Sequence, residues 1–384
     1  MSFKEFIEAK PLFYKTIDYS RMPRIWNKIK ENFKLPKIIH IIGTNAKGTT
    51  GRYLSSMLYK NGLSVGHYSS PHIFEFNERI WKNGYNATDK ELEKAHIFLQ
   101  SIIGSQDLKS LSYFEYTTLI AAYLFQSCDY AVFEAGMGGE YDATSVFDNV
   151  LSIITPIGLD HQEFLGDTIE EIALTKLRSI KQYAIIGRQK DKKVYKIALE
   201  LSKKRKFKLY NYCLFLNEQA ENMIQEYANK YSLPLFLKEN LSLATSAYVF
   251  LGYKLKKDIF EEIKVLGRCQ KIAKNITVDV GHNILAADTL RDYFIGKKVI
   301  LIYNSYKDKD YIGILKRLKP VVKRVEILKI ENNTRMENED ILKQNISNLG
   351  MEVSFFNKLS KDNEYLVFGS FSVVEKFIKD IFEK

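Results

Sequence analysis

The stretch Lys37-Ile-Ile-His-Ile-Ile-Gly-Thr-Asn-Ala-Lys-Gly-Thr-Thr-Gly-Arg-Tyr-Leu54 decides the fold. Lys37 to Ile42 is a β-branched run, the composition of a buried parallel strand. Gly43 to Gly48 is a tight turn of small residues holding one lysine. From Thr49 the spacing turns helical, with Tyr53, Leu54, Met57 and Leu58 on one face and Gly62 as the stop. Strand, turn and helix together make an anion site: backbone N–H groups and a helix N-terminus face the phosphate, and Lys47 adds a full charge. The loop departs from the usual G-x-x-x-x-G-K-[ST] string, because Gly48 follows the lysine and Thr49 comes after it. Ala46 stands where glycine would serve; an alanine there needs a negative φ or accepts some strain.

A chain of 384 residues predicts two domains. Hydrophobic residues at 46% and charged residues at 27% describe a soluble globular protein. No apolar run approaches the ~20 residues of a membrane span. The start, Met1 to Glu8, mixes acids with its apolar residues and does not read as a signal peptide. Cys128, Cys213 and Cys269 are too scattered for a metal or disulfide pattern, which fits a cytoplasmic setting. The net charge of +11 raises nucleic acid as a partner. However, no aromatic stacking motif accompanies the densest run, Lys203-Lys-Arg-Lys-Phe-Lys208, which reads as a solvated face.

Residues 1–35 read as a helical lead-in. After the phosphate segment comes a short strand at Ser64–Tyr68, then Ser69-Ser-Pro-His72 and Phe76-Asn-Glu-Arg-Ile80. Thr88 with Glu91, and Thr168 with Glu171, are capping boxes that open helices. Strands are predicted at Tyr130–Glu134 and Val150–Thr155, with a glycine turn at Gly136–Gly139. Weaker strands follow at 184–186 and 206–210, with helices at 191–204, 218–230, 240–253 and 257–264. After Gly267-Arg268 a second series of five strands and interleaved helices begins. The predicted fold class is therefore α/β throughout: a mostly parallel P-loop-type sheet flanked by helices (1–268), then a Rossmann-like α/β domain (269–384).

Ligands of an open parallel sheet gather beyond the carboxyl ends of its strands. Ser70, Glu134 and His161 all fall at such ends beside the phosphate loop. A hydroxyl, a carboxylate and an imidazole next to a triphosphate suit Mg²⁺, although histidine is the least typical donor for it. Taken singly, Glu134 also fits a plain strand end, and His161 a capping or loop histidine. Lys176, inside an amphipathic helix, reads as a solvated residue. Asp279 and His282 end the first strand of the second domain, with Asn283 placed to cap the next helix.

These segments resemble the folylpolyglutamate synthase/dihydrofolate synthase family of the Mur ligase superfamily, over nearly the whole chain after residue 35. Gly43 to Thr49 is similar to the family's G-T-N-G-K-G-[ST] loop, and Tyr68 to Ile80 to its T-S-P-H-L and F-N-E-R-I segment. Glu134 to Thr144 resembles E-V-G-L-G-G-R-L-D-A-T. Gly158-Leu-Asp-His161, Leu165-Gly-Asp-Thr168, Asp279-Val-Gly-His-Asn283 and Val367-Phe-Gly-Ser-Phe371 match in order.

The resemblance implies an ATP-dependent, ADP-forming ligase that adds L-glutamate to dihydropteroate, to the γ-carboxylate of a reduced folate, or to both. It implies ATP and two Mg²⁺ ions, and a monomer. Asn45, Ala46, Lys47, Gly48 and Thr49 would cradle ATP, joined by Asn240, Arg268, Asp279 and His282. Ser112, Tyr113, Phe114 and Glu115, with Tyr141, Asp142 and Ala143, would meet the pterin. Ser70, Glu134 and His161 would hold metal, and Lys47, His161 and Lys176 would serve catalysis. Lys176 sits where the family carries a carbamylated lysine whose carboxylate supports the second metal.

The departures are Ala46, Leu-Arg-Ser-Ile after Lys176 in place of A-G-I-I, Cys269 in place of an aromatic, Ile284 in place of proline, and a short 182–240 region. A cell-wall Mur ligase is the alternative enzyme. Gly48, the Ser-Pro-His segment and the missing UDP-binding N-terminal domain argue against it. A basic nucleic-acid-binding module is the non-enzymatic alternative, and it leaves Glu134 and His161 unexplained.

Overall fold

The computed structural model describes residues 1–11, 18–261, 263–331 and 333–382. Residues 12–17 of the expected lead-in, and residue 383 of the last expected helix, lie outside the described residues. The chain forms two compact units, Met1–Leu233 with Leu237–Ile263, and Pro234–Phe236 with Lys264–Lys384. The second unit thus begins slightly before the 268/269 boundary expected from sequence. Two local bonds tie the intervening turn to the second unit: Val280 N–H donates to Gly267 O (2.9 Å) and Cys269 N–H to Asp279 Oδ2 (2.8 Å).

The first unit is built on β1 (Lys37–Ile42), β2 (Val65–Tyr68), β3 (Ile80–Lys82), β4 (Tyr85–Asn86), β5 (Tyr130–Glu134), β6 (Leu151–Ile154), β7 (Tyr183–Ile186) and β8 (Lys208–Asn211). They lie in the order β4-β3-β2-β5-β1-β6-β7-β8. From β2 to β8 every pairing is parallel, and β3 and β4 add antiparallel edges. β1 sits between β5 and β6: the chain leaves β1 towards β2 on one side, and the β5-to-β6 crossover then carries it to the other; crevices for ligands form at such a point. The β3–β4 hairpin turns on Asn83-Gly84, both at positive φ (49° and 98°). That Asn-Gly signal was open to reading from the sequence.

Helices cover both faces. The Arg21–Ile29 helix buries Met22, Ile25, Trp26 and Ile29 at the helical repeat. Each such side chain contributes roughly 1.5–3 kcal/mol of burial. They pack with Leu92, Leu99, Leu119 and Ile120 of the Asp89–Ile102 and Tyr113–Leu124 helices against β5. On the other face the Ile169–Leu177 and Lys192–Arg205 helices close over Ile42, Ile154 and Ile186. Both predicted capping boxes form, and another, Ser112 with Glu115, opens the Tyr113–Leu124 helix.

Among the described residues of 257–264 no helix forms where one is expected; 257–261 are turns. The basic run has a local explanation. Lys203, Lys204 and Arg205 fill the last turn of their helix, where cations complement the carbonyl end of the dipole.

The second unit holds β9 (Gln270–Ala273), β10 (Ile276–Asp279), β11 (Val299–Tyr303), β12 (Val322–Ile327), β13 (Val353–Phe355) and β14 (Tyr365–Phe368), ordered β13-β12-β11-β14-β10-β9. All pairs are parallel except β9 with β10. β9 is an edge strand that the sequence reading missed, its residues only partly buried.

Candidate active site

The phosphate loop is held from below. Thr44 and Asn45 donate their N–H groups to Pro156 O (2.9 and 3.2 Å). Thr44 Oγ1 donates to Gly158 O (2.9 Å) and accepts from Gly158 N–H (3.0 Å). The Lys47–Lys60 helix begins two residues earlier than the spacing suggested, so Lys47 itself opens it. Ala46 caps it at φ 69°, the left-handed region, so the alanine takes the strained option.

Lys47, Ser70 and Glu134 converge. Lys47 Nζ lies 3.8 Å from Glu134 Oε1 and donates to Thr44 O at 3.2 Å. The Ser70 N–H donates to Glu134 Oε2 (3.1 Å). A Cβ at Gly48 would stand 3.0 Å from that same oxygen, so the glycine after the lysine is what lets the helix start approach the carboxylate. Glu134 is only 5% exposed. Thr49 is buried in the first turn. The following loop is stitched by Glu78, which accepts from the N–H groups of Ile73, Phe74 and Glu75 (2.8, 2.8 and 3.1 Å).

The structure overturns the solvated reading of Lys176. It is 3% exposed, and its Nζ donates to Gly43 O (3.1 Å). Burial, reinforced by nearby Lys47, pulls its pKa down to about 7, against the opposing pull of Asp160 and Asp142. The glycine turn closes over it: a Cβ at Gly139 would lie 2.8 Å from Lys176 Cα, and Glu140 N–H donates to Thr175 O (2.9 Å). His161 differs. It takes a left-handed conformation (φ 51°), its side chain is 38% exposed, and its Nε2 is 3.9 Å from Asp160 Oδ2. Among the described residues no group of three or more His, Cys, Asp or Glu stands ready for a metal. The expected set includes only two of those types, Glu134 and His161.

The expected pterin segments are firmly built. Ser112 caps its helix, and Glu115 closes the capping box while pairing with Arg21 (2.7 Å), both buried. Sequence reasoning missed Arg21 and also Lys10, whose Nζ donates to Leu108 O (2.9 Å) and Leu111 O (2.6 Å) just ahead of Ser112. Tyr113 lies under the Arg79 guanidinium (5.1 Å). Phe114 faces Gly136, where a Cβ would be 2.6 Å from its ring. Tyr141 is exposed and packs on Tyr19 (4.5 Å). Ala143 is buried. Asp142 is buried and accepts from Met137 N–H (2.9 Å), Thr144 N–H (3.0 Å) and Thr144 Oγ1 (2.6 Å). Its burial raises its pKa despite those bonds.

Asn240 is buried within the Leu235–Phe250 helix. In the second unit, Asp279 ends β10 and accepts from Cys269 N–H (2.8 Å) and Gly281 N–H (2.7 Å); burial raises its pKa, with Arg268 opposing. Arg268 lies over the Phe371 ring (5.4 Å), and His282 is 6.4 Å from the same ring. Asn283 caps the Ile284–Tyr293 helix, as expected.

No family model matches the chain. Its fold is similar to the crystal structure of Helicobacter pylori folylpolyglutamate synthetase, at 37% identity and a TM-score of 0.77, covering 99% of this chain and 98% of that one. It is also similar to E. coli FolC in complex with DHPP and ADP, at 25% identity and a TM-score of 0.84, covering 99% and 98%. The dihydrofolate synthase/folylpolyglutamate synthase of Buchnera aphidicola subsp. Schizaphis graminum is 31% identical over 88% of this chain and 87% of its own length. With that identity, that coverage and the shared fold, the chain belongs to the folylpolyglutamate synthase/dihydrofolate synthase family.

Proposed function

We propose that this protein is an ATP-dependent, ADP-forming ligase that joins L-glutamate to dihydropteroate, to the γ-carboxylate of a reduced folate, or to both, acting as a cytoplasmic monomer. The observation that carries the reading is the meeting of Lys47 and Ser70 on Glu134 beside Gly48, at the carboxyl ends of β1, β2 and β5. That corner suits a triphosphate: Asn45 to Thr49 offer backbone N–H groups and a helix N-terminus, and Lys47 adds charge. We assign Asn240, Arg268, Asp279 and His282 to the nucleotide as well. Ser112 to Glu115 and Tyr141 to Ala143 are assigned to the pterin.

The donor set fits magnesium. Glu134 is a buried carboxylate with a cation beside it and a glycine leaving room at its oxygen, and Ser70 supplies a hard hydroxyl. Ser70, Glu134 and His161 would hold it, and Lys176 would add a ligand once carbamylated. When bound, magnesium neutralises charge on the phosphates. The neutral amine favoured at Lys176 is the form that adds to carbon dioxide: the nitrogen lone pair forms the N–C bond, a proton leaves, and a carboxylate results.

A carboxylate resists attack by an amine, so it needs a leaving group. The acceptor's carboxylate oxygen attacks the γ-phosphorus, the bond to ADP breaks, and an acyl phosphate forms. The amino group of glutamate then attacks the acyl carbon, phosphate departs and the nitrogen loses a proton. Lys47 stabilises the charge that spreads over the transferring phosphoryl. Holding the reactants in register supplies part of the ~7–11 kcal/mol that ideal positioning can reach.

The test is ADP release with glutamate and each acceptor in turn, dihydropteroate against reduced folates. Release that requires both glutamate and a pterin acceptor is expected. ADP release indifferent to both would sink the reading.

A further inference from the structure

We infer that His40 is a positioning residue for the acceptor-side loop: from the middle of β1 it holds Thr144, and through Thr144 it fixes the carboxylate of Asp142. This rests on the reading of Asp142 as a residue of the pterin side. His40 is buried inside the Lys37–Ile42 strand, registered with Phe133 of β5 and Ser152 of β6. Its Nε2 lies 2.7 Å from Thr144 Oγ1. Thr144 Oγ1 lies in turn 2.6 Å from Asp142 Oδ1. The second carboxylate oxygen accepts from Met137 N–H at 2.9 Å, at the start of the same loop. The relay therefore spans Met137 to Thr144 and closes the loop on itself.

The proton positions follow from counting. A threonine hydroxyl has one proton, and a carboxylate can only accept. That proton goes to Asp142, so Thr144 Oγ1 must accept from His40, and the imidazole carries its hydrogen on Nε2. The other nitrogen, Nδ1, is buried and has no hydrogen-bond partner; an unprotonated nitrogen there strands a lone pair rather than an N–H, which agrees with the Nε2–H tautomer. Burial in apolar surroundings also keeps the ring neutral, pulling its pKa down to about 4. His40 is thus a fixed donor rather than a titrating switch. Because the phosphate loop begins only a few residues on, at Gly43, one strand sets both the anion-binding turn and the orientation of Asp142.

The test uses the full chain and four substitutions. Thr144→Val and His40→Leu remove the relay; Thr144→Ser and His40→Gln keep a hydroxyl and an N–H donor. The relay predicts that Thr144→Val and His40→Leu raise KM for the pterin acceptor about tenfold or more, with KM for ATP within about twofold of the parent. It predicts that the double variant is no worse than the poorer single one, because both break one relay. The two conservative variants should stay near the parent. Should His40→Leu fail to fold, the Thr144→Val and Thr144→Ser pair decides. Acceptor and ATP constants rising together, fully additive losses, or an unchanged acceptor KM would overturn the inference. Hydrogen exchange at the Met137 and Thr144 amides gives a readout independent of turnover: both should exchange about tenfold faster in Thr144→Val, with Val132 in β5 unchanged. If the parent protein uses no pterin acceptor, the functional reading fails while this exchange result still stands or falls alone.

Discussion

Two loops leave neighbouring strands of the same sheet and are built on opposite principles. The loop after β1 is braced from outside, by Pro156 and Gly158, and keeps its cation only loosely engaged: Lys47 reaches Glu134 at 3.8 Å and Thr44 O at 3.2 Å. The loop after β5 is braced chiefly from within, with His40 of β1 and Thr175 O as its outside supports. Asp142 receives its donors at 2.6–3.0 Å, all of them from the loop itself, and the turn rests directly on Lys176. A group that will meet a highly charged ligand gains from weak prior commitments, since every strong bond it already holds must be given up on binding. A surface that recognises a flat neutral ring gains from being finished before the ring arrives. The difference predicts that substitutions in the first loop damage turnover more than stability, and that substitutions supporting the second damage stability and acceptor binding.

The largest effect belongs to Lys47→Ala. ADP formation should fall by about a thousandfold or more, as for loss of a charge that stabilises a transferring phosphoryl. The melting midpoint should move by no more than about 4 °C, because the side chain's existing contacts are long. Normal turnover, or a protein that unfolds, would break the contrast between the loops. Lys176→Ala comes next, with a loss of about a hundredfold or more. Short carboxylic acids should restore part of it by standing in for the missing carboxylate. Full activity in that variant would remove the carbamate from the mechanism.

Beside the segment proposed to meet the acceptor, Arg21→Ala removes the partner of a buried 2.7 Å ion pair to Glu115. The cost should be about 3–5 kcal/mol of stability, measured as a lower urea midpoint. Acceptor KM should rise with ATP KM little changed. A loss below about 1 kcal/mol would show that the segment from Ser112 to Glu115 is not held from the lead-in.

How much of this was legible follows from where each partner lies in the chain. β1, its turn and its helix read directly, because strand composition, small residues and helical spacing are all local. Thr88 and Thr168 read as caps because a capping box spans only four residues, whereas Ser112 with Glu115 has the same local form and went unread. Lys176 did not read as buried, since its burial depends on Gly139 lying across it, and an amphipathic pattern cannot report a loop arriving from elsewhere. His40 was hidden for the same reason. Inside an isoleucine run it looks like one more strand residue, and its partner is 104 positions away. The pairing of Arg21 with Glu115, 94 positions apart, is equally silent. The Asn83-Gly84 hairpin, by contrast, was a local signal that the reading passed over.

Ala46→Gly carries the smallest expected effect and the finest test of the contrast. Ala46 holds φ 69° at the N-terminus of the Lys47–Lys60 helix, a region where an L side chain crowds its own backbone at a cost of about 1–2 kcal/mol. Glycine relieves the crowding but makes the unfolded chain more flexible, which returns about 0.4–1 kcal/mol of the gain. The net stabilisation should therefore be between about 0 and about 1.6 kcal/mol, a rise of at most a few degrees in the melting midpoint. KM for ATP should shift, because the loop can then settle differently around an anion, and KM for the acceptor should not. A destabilised Ala46→Gly protein would mean that the methyl group is packed to advantage and that the left-handed turn stores no strain. An acceptor KM that moved with the ATP value would mean that the two loops respond as one body, despite their different bracing.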